Sequence, residues 1–196
     1  MSGRPLALIA LLALAACHPA QVRPVAPPSV EERAALATLS DWHATGRVAV
    51  RAASEGFSAS FDWRENAGHG ELGVRGPFGS GAARISRSSE RIRIESGTGA
   101  PIDLTAPFET LEPALTARLG FPLPLEPLRF WVLGVPAPSL PSDGDGPTFR
   151  QAGWEVSCGE FTPVGGAPGP LPTRLLLTRA TTRIRVIIDR WQVGAG

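Results

Sequence analysis

Two cysteines, three histidines and a Gly-Ser-Gly turn are the residues whose types invite a search for covalent, metal or phosphate chemistry. The histidines are His18, His43 and His69, and none falls at metal-ligand spacing with a Cys, Asp or Glu. Serines are plentiful, but none sits in a Gly-x-Ser-x-Gly strand-to-helix turn. Gly79-Ser80-Gly81 hints at a phosphate loop, yet it follows a turn and leads toward a strand instead of a helix. No catalytic centre, metal or other cofactor is therefore expected. A secreted chain would ordinarily pair Cys17 with Cys158. Cys17, however, ends an apolar leader, and Cys158 falls in a strand-like segment after Trp154, where a buried, inert thiol is expected.

The leader carries one positive charge, Arg4, and then an apolar stretch over residues 6–16. About eleven residues rising 1.5 Å each reach roughly 16 Å, half the thickness of a bilayer core, so the stretch reads as the core of a secretory signal. It closes on Leu14-Ala15-Ala16-Cys17, which resembles the bacterial lipobox. On that reading residues 1–16 are a signal peptide and Cys17 becomes the lipidated first residue. Residues 17–28, rich in Pro and Ala, form a tether, and residues 29–196 form a single domain. The other reading is an ordinary signal cleaved near Ala16 with Cys17 incidental. Small residues at both positions before Cys17, and Leu14 before them, favour the lipobox. A lipobox implies a diacylglyceryl group plus an N-acyl chain, beyond the two signals that stable anchoring takes. His18 follows where an Asp would suggest inner-membrane retention, so the expected location is the outer membrane, lipid-anchored and facing the periplasm.

Composition narrows the partners. Among 196 residues, 43% are hydrophobic, enough for one sizeable core, and 19 basic residues face 18 acidic ones. Proteins that live by neutralising phosphates carry a clear positive excess, so nucleic acid is not an expected partner. Every basic residue is Arg and Tyr is absent, a bias that carries no function.

The elements that must position any site follow from periodicity. Ser29-x-x-Glu32 offers a capping box for one helix over about 30–41, with Leu36 and Leu39 as its stripe. After Gly46 the period becomes two: Val48 and Val50; Phe57, Ala59, Phe61 and Trp63; Leu72 and Val74; Ile92 and Ile94. Each set alternates with polar or small residues, as in antiparallel strands with one wet face. Leu111, Leu115 and Leu119 predict a second helix, and a short third helix near Pro127 carries Leu128, Trp131 and Val132 before Gly134. Residues 136–147 read as a loop. Strands return over 154–158, 175–179 and 183–191, the last with Ile184, Val186 and Ile188 on one face and Arg183, Arg185 and Ile187 on the other. Strands, helices and strands again predict an antiparallel α+β domain, a curled sheet covered by helices.

Several segments, in this order, resemble the LolB family. They are the lipobox; Phe57-Ser-Ala-Ser-Phe-Asp-Trp63; Gly76-Pro77-Phe78-Gly79-Ser80; Arg118-Leu-Gly-Phe-Pro-Leu-Pro-Leu125; and Leu128-Arg-Phe-Trp131-Val-Leu-Gly134-Val-Pro136. Gly153-Trp154-Glu155-Val156, Leu171-Pro172 and the run from Ile184 to Trp191 complete the likeness, which spans nearly the whole mature chain. Cys158 departs from it, standing where an aromatic is expected, and the 136–149 loop is Gly/Pro-rich. The resemblance implies an incomplete, half-open antiparallel β-barrel with helices covering the open side and a hydrophobic cavity inside. It further implies an outer-membrane lipoprotein that accepts lipoproteins by their acyl chains from the periplasmic carrier LolA and inserts them into the outer membrane. Neither nucleotide nor metal takes part, and a monomer is expected.

Residue roles carried over from the resemblance each have a plainer rival. Phe78, flanked by Pro77 and Gly79 in turn-forming chemistry, would on sequence alone tuck back onto the sheet. The resemblance makes it a membrane-inserting tip. Trp63, Trp131, Trp154 and Trp191 match the family's aromatic set and are candidates to line the acyl-chain cavity, with Phe57 and Phe61 beside them by alternation. Simple core packing is the other reading of all six. Val48, Leu72, Ile92 and Ile94 are weaker candidates. Arg91, Arg93, Arg183 and Arg185 read first as a solvated sheet face, and second as a surface for an acidic carrier mouth or lipid headgroups. Two rival functions stay open at this stage: an anchored structural or assembly lipoprotein that uses its sheet as a docking surface, and a lipoprotein enzyme.

Overall fold

The structure is a computed structural model and describes residues 24–52, 55–77, 81–97, 99–105, 112–113, 116 and 122–194. Cys17, Phe78, Gly79 and most of the helix expected over 111–119 lie outside the described residues.

Helix α1 (Val30–Leu36) opens on the expected capping box: Ser29 N–H donates to Glu32 Oε2 at 2.7 Å and Glu32 N–H to Ser29 Oγ at 3.2 Å. It ends five residues before the expected 41. Tight turns through Thr38 and Leu39 close it, and Trp42 already pairs on both sides, with Glu65 and with Val193. Two ladders outweigh one more helical turn, so the first strand begins at Trp42 and not at Gly46. The strands run β1 (Trp42–Ala52), β2 (Glu55–Asn66), β3 (His69–Arg75), β4 (Ala83–Arg87), β5 (Arg91–Ser96) and β6 (Ile102–Thr105). Helix α2 (Leu125–Trp131) intervenes where the sequence predicts a short helix, and Gly134 at φ +83° ends the turns that follow it. Then come β7 (Ser142–Asp143), β8 (Thr148–Gln151), β9 (Trp154–Thr162), β10 (Leu171–Arg179) and β11 (Thr182–Val193). The two-residue β7 lies inside the expected loop, and β9 to β11 outrun their expected bounds.

All strands join one antiparallel sheet in the order β6-β5-β4-β3-β2-β1-β11-β10-β9-β8-β7. Strands β6 and β7 end it without pairing to each other, so the sheet does not close. Alternation sorts its residues as the sequence implies. Val50, Phe61, Trp63, Leu72, Ile92, Ile94, Ile184, Val186 and Ile188 are all buried on one face, whereas Arg47, Arg51, Arg91, Arg93, Arg183 and Arg185 are exposed on the other. One irregularity interrupts the pattern. Thr45 pairs with Arg190 but Gly46 pairs with Ile188, so Asp189 is skipped as a bulge. Only glycine fits there, because a Cβ on Gly46 would run into the Ile187 carbonyl oxygen. The bulge turns Trp191 onto the apolar side, where its ring meets Trp42 at 5.6 Å.

Residues 24–28, expected as free tether, partly dock. Val25 forms an isolated bridge with Phe161, and the Pro28 carbonyl accepts from Arg33 at 2.7 Å. Strand β8 pairs β9 only as far as Ser157, so the far half of β9 offers an unpaired edge to a chain that proline already holds extended.

Helix α2 is held to the sheet by one buried amide. Gln151 Oε1 accepts from Trp131 Nε1 and from the Ala137 amide, both at 2.8 Å; its Nε2 donates to the carbonyls of Ala137 at 3.0 Å and Leu140 at 2.9 Å. All four capacities are used in a residue that is 2% exposed. Gln151→Leu keeps the volume but strands buried partners, so it is expected to lose about 3 kcal/mol or more in equilibrium denaturant unfolding, beyond the ~0.5 kcal/mol within which surface changes usually fall.

Candidate functional site

Between the apolar face and α2 lies a cleft of about 190 Å³. Its floor is Val48, Val50, Phe61 and Trp63 from β1 and β2, continued by Leu72, Ile85, Leu175 and Val186; Leu128 and Val132 form its roof. Every described lining side chain is aliphatic or aromatic, and Gly81 contributes backbone alone. The one polar atom among them, Trp63 Nε1, is turned away and donates to Glu65 Oε1 at 3.0 Å. Glu65, 4% exposed, is in turn ion-paired with Arg87. This buried pair lies behind Trp63, outside the cleft lining, and fixes the orientation of its ring. Phe57 stands at the mouth and remains 43% exposed.

The six aromatic candidates divide. Phe57, Phe61 and Trp63 line the cleft. Trp131 and Trp154 do not: both are almost fully buried, and Trp131 is committed to Gln151 and to the Phe149 ring, 6.4 Å away edge-on. Trp191 also stands outside the lining, donating to the Pro172 carbonyl at 2.9 Å and packing on Trp42. Of the weaker candidates, Val48 and Leu72 line the cleft, while Ile92 and Ile94 are buried in the core further along the sheet. Trp42 was not singled out by the sequence reading. Its ring lies 5.2 Å from Trp63, edge-on, and backs the cleft's aromatic wall. The signal for it was the two-residue step through Trp42 and Ala44 that precedes Gly46.

Phe78 itself lies outside the described residues. Pro77 is exposed and lines a second groove on the polar face, and Gly81 lines the cleft. Arg93 forms ion pairs with Glu95 and Asp103, and these hold its guanidinium above its ordinary pKa; Arg91, Arg183 and Arg185 stand in solvent. Among the described residues no three His, Cys, Asp or Glu side chains gather at one point, and no helix is long and apolar enough to cross a membrane.

Comparison with known proteins places this geometry in a family. A family model described as outer membrane lipoprotein LolB matches residues 40–191. A protein named outer-membrane lipoprotein LolB from Halorhodospira halophila is 36% identical over 169 residues, covering 83% of this chain and 79% of its own. One of the same name from Nitrosococcus oceani is 30% identical, covering 95% of this chain and 96% of its own. The crystal structure of a LolA superfamily protein from Nitrosomonas europaea superposes with a TM-score of 0.53 at 8% identity, over 87% of this chain and 96% of that one, a likeness of fold.

Cys158 reports on how tightly this region is packed. Its thiol is buried under α2 and lies 3.9 Å from the Trp131 carbonyl. Burial pushes its pKa up from 9.0 to about 12. The folded state thus favours the protonated thiol, a contribution complete below about pH 9 and lost as the pH climbs toward 12. At pH 8 iodoacetamide is expected to label Cys158 about a thousandfold more slowly than an unperturbed thiol, and to label it freely once denaturant unfolds the chain. Mass spectrometry of the 158-containing peptide reads both rates.

Proposed function

Because the chain belongs to the LolB family of outer-membrane lipoproteins, we propose that it accepts lipoproteins from a LolA-like periplasmic carrier and inserts them into the outer membrane without chemistry of its own. The observation that carries this reading is the all-carbon cleft under α2, open beside Phe57. The unclosed sheet acts as a half-open barrel, and the cleft between it and α2 receives acyl chains. Cys17 carries the lipid that anchors the monomer to the periplasmic face of the outer membrane.

Magnitudes constrain the cycle. Acyl burial is worth about 0.8 kcal/mol per CH₂, so a chain of roughly 16 carbons carries about 12 kcal/mol. The cleft must supply most of this to hold a chain in water, and less than a bilayer supplies, or delivery stalls. A rising ladder of affinity from carrier to receptor to membrane moves cargo without ATP. At about 190 Å³ the cleft is smaller than the roughly 300–1,000 Å³ of ordinary ligand sites. Leu128 and Val132 must therefore give way to admit a chain, while Gln151 keeps the far end of α2 in place. Phe78 is the insertion tip. A fully buried Phe is worth about 1.5–3 kcal/mol, enough to touch lipid and let go.

A transfer assay with loaded carrier, liposomes and a soluble form lacking leader and lipid separates the two steps. Phe57→Asp puts a charge at a mouth exposed enough for the fold to tolerate it, and is expected to cut acceptance from the carrier at least about tenfold, the cost of ~1.4 kcal/mol. Phe78→Glu is expected to accept normally and fail to deliver. Full acceptance by the first variant counts against the cleft, and full delivery by the second counts against the tip.

A further inference from the structure

The polar face of the sheet carries an electrostatic cost that nothing within the described residues repays. Arg51 of β1 and Arg183 of β11 are direct cross-strand partners, so two cationic side chains start about 5 Å apart. Like charges directly opposite one another destabilise a sheet. Two residue pairs along, on the same face, Arg185 faces Ala49, and Arg75 of β3 lies opposite Ser60 of β2. All four arginines are exposed, and none has a side-chain ion pair among the described residues. The carboxylates described nearby are engaged elsewhere: Asp189 with Arg47, Asp62 with His43 and Arg64, Glu160 with Arg174. Between the arginines the strands carry small residues, Ala49, Gly56 and Ser58, and these leave a shallow groove of about 700 Å³. That groove is lined by Arg51, Arg183 and Arg185, and it runs to Phe57 and Pro77.

We propose that this groove seats the headgroup phosphates of anionic phospholipid in the membrane on which the protein works. Guanidinium groups match phosphate by paired N–H···O contacts, and repulsion between Arg51 and Arg183 becomes attraction once an anion lies between them. The groove shares Phe57 with the mouth of the cleft and borders Pro77 at the start of the Phe78 loop. Headgroups held there set the mouth against the bilayer surface. The inference goes beyond the acceptor reading, because the face engages headgroups whether or not Phe78 inserts or the cleft takes a chain.

Guanidinium footprinting tests it on the full acylated chain reconstituted in vesicles. Phenylglyoxal is applied on phosphatidylcholine vesicles, and on vesicles with one fifth phosphatidylglycerol, and modification is read by mass spectrometry. Arg51, Arg183 and Arg185 are expected to be protected about fivefold or more by the anionic lipid, the effect of ~1 kcal/mol per basic residue at such a surface. Arg91, exposed on the distant β5, serves as the unprotected control. Protection disappears in 1 M salt, where screening acts over about 3 Å. In a variant with Arg51→Gln and Arg183→Gln, Arg185 is expected to lose its protection while the melting temperature holds or rises, since a repulsive pair has gone. Equal labelling on both vesicles overturns the proposal, as does equal protection of Arg91. Protection that arises only when the carrier is added to neutral vesicles overturns it too, and assigns the face to an acidic protein partner.

Discussion

Water gains nothing from contact with the side chains on the apolar face of this sheet, and a face many strands wide cannot be left wet. At about 25 cal/mol per Å² the pressure to cover it is the largest favourable force in the fold. Most of the face is covered by ordinary packing, with Leu36, Leu125, Trp131 and Leu171 all buried against it. The stretch under Leu128 and Val132 is not filled. Treated as a packing defect, about 190 Å³ at roughly 24 cal/mol per Å³ costs on the order of 4–5 kcal/mol, a large part of a domain's usual net stability. A chain that folds around such a void keeps it for a use.

Keeping a void requires walls that do not collapse, and the polar groups at its margins do that work. Gln151 fixes the roof by four hydrogen bonds to the last residue of α2 and to the loop that follows it. Behind Trp63, Glu65 holds the indole and is neutralised by Arg87. A buried ion pair is a poor source of stability compared with an apolar replacement of the same shape. Here its value is directional, because it keeps the ring of Trp63 against the floor and its N–H out of the cleft. Arg129, partly buried on the roof helix, feels the Arg87 charge and has its pKa lowered by burial and by that repulsion. The charges of Glu65, Arg87 and Arg129 thus all lie outside the apolar lining.

How much of this was legible in the sequence depended on what kind of interaction decided each element. Period-two alternation revealed both sheet faces, since burial of one face is the dominant constraint and needs no knowledge of partners. It gave Phe57, Phe61, Val48 and Leu72 their side of the sheet. Alternation alone does not reach Trp191, whose parity is that of Arg183 and Arg185; a bulge at Asp189 reverses it and brings the ring to the apolar side, beside Trp42 but outside the cleft. The end of α1 was misjudged because Trp42 pairs with residues 23 and 151 positions away, and no local window contains them. Periodicity marks Trp63, Trp131 and Trp154 alike as inward-facing, and it does not separate a ring that lines a cleft from one fixed in the core. Gln151 was invisible for the same reason: its four partners come from α2 and the loop after it, brought to β8 only by the tertiary fold.

The cleft and the arginine groove share a backbone. Val50 and Phe57 face the cleft, while their neighbours Arg51 and Ser58 face the arginine groove. In a strand, adjacent residues point to opposite faces, so one short hairpin separates a hydrocarbon compartment from a cationic one by the thickness of a single sheet. A phospholipid divides in the same way, between apolar tail and charged head. A membrane contact made at this edge therefore need not choose between the two halves of a lipid. On the two proposals made above, headgroups meet the arginine side, and acyl chains leaving the cleft meet the bilayer interior on the other. The bilayer wins the chain because it offers full burial, whereas the cleft leaves Phe57 and whatever lies against it partly in water. On this account direction comes from geometry and hydrophobic transfer alone, and the strands need only hold the mouth at the surface long enough for the chain to move.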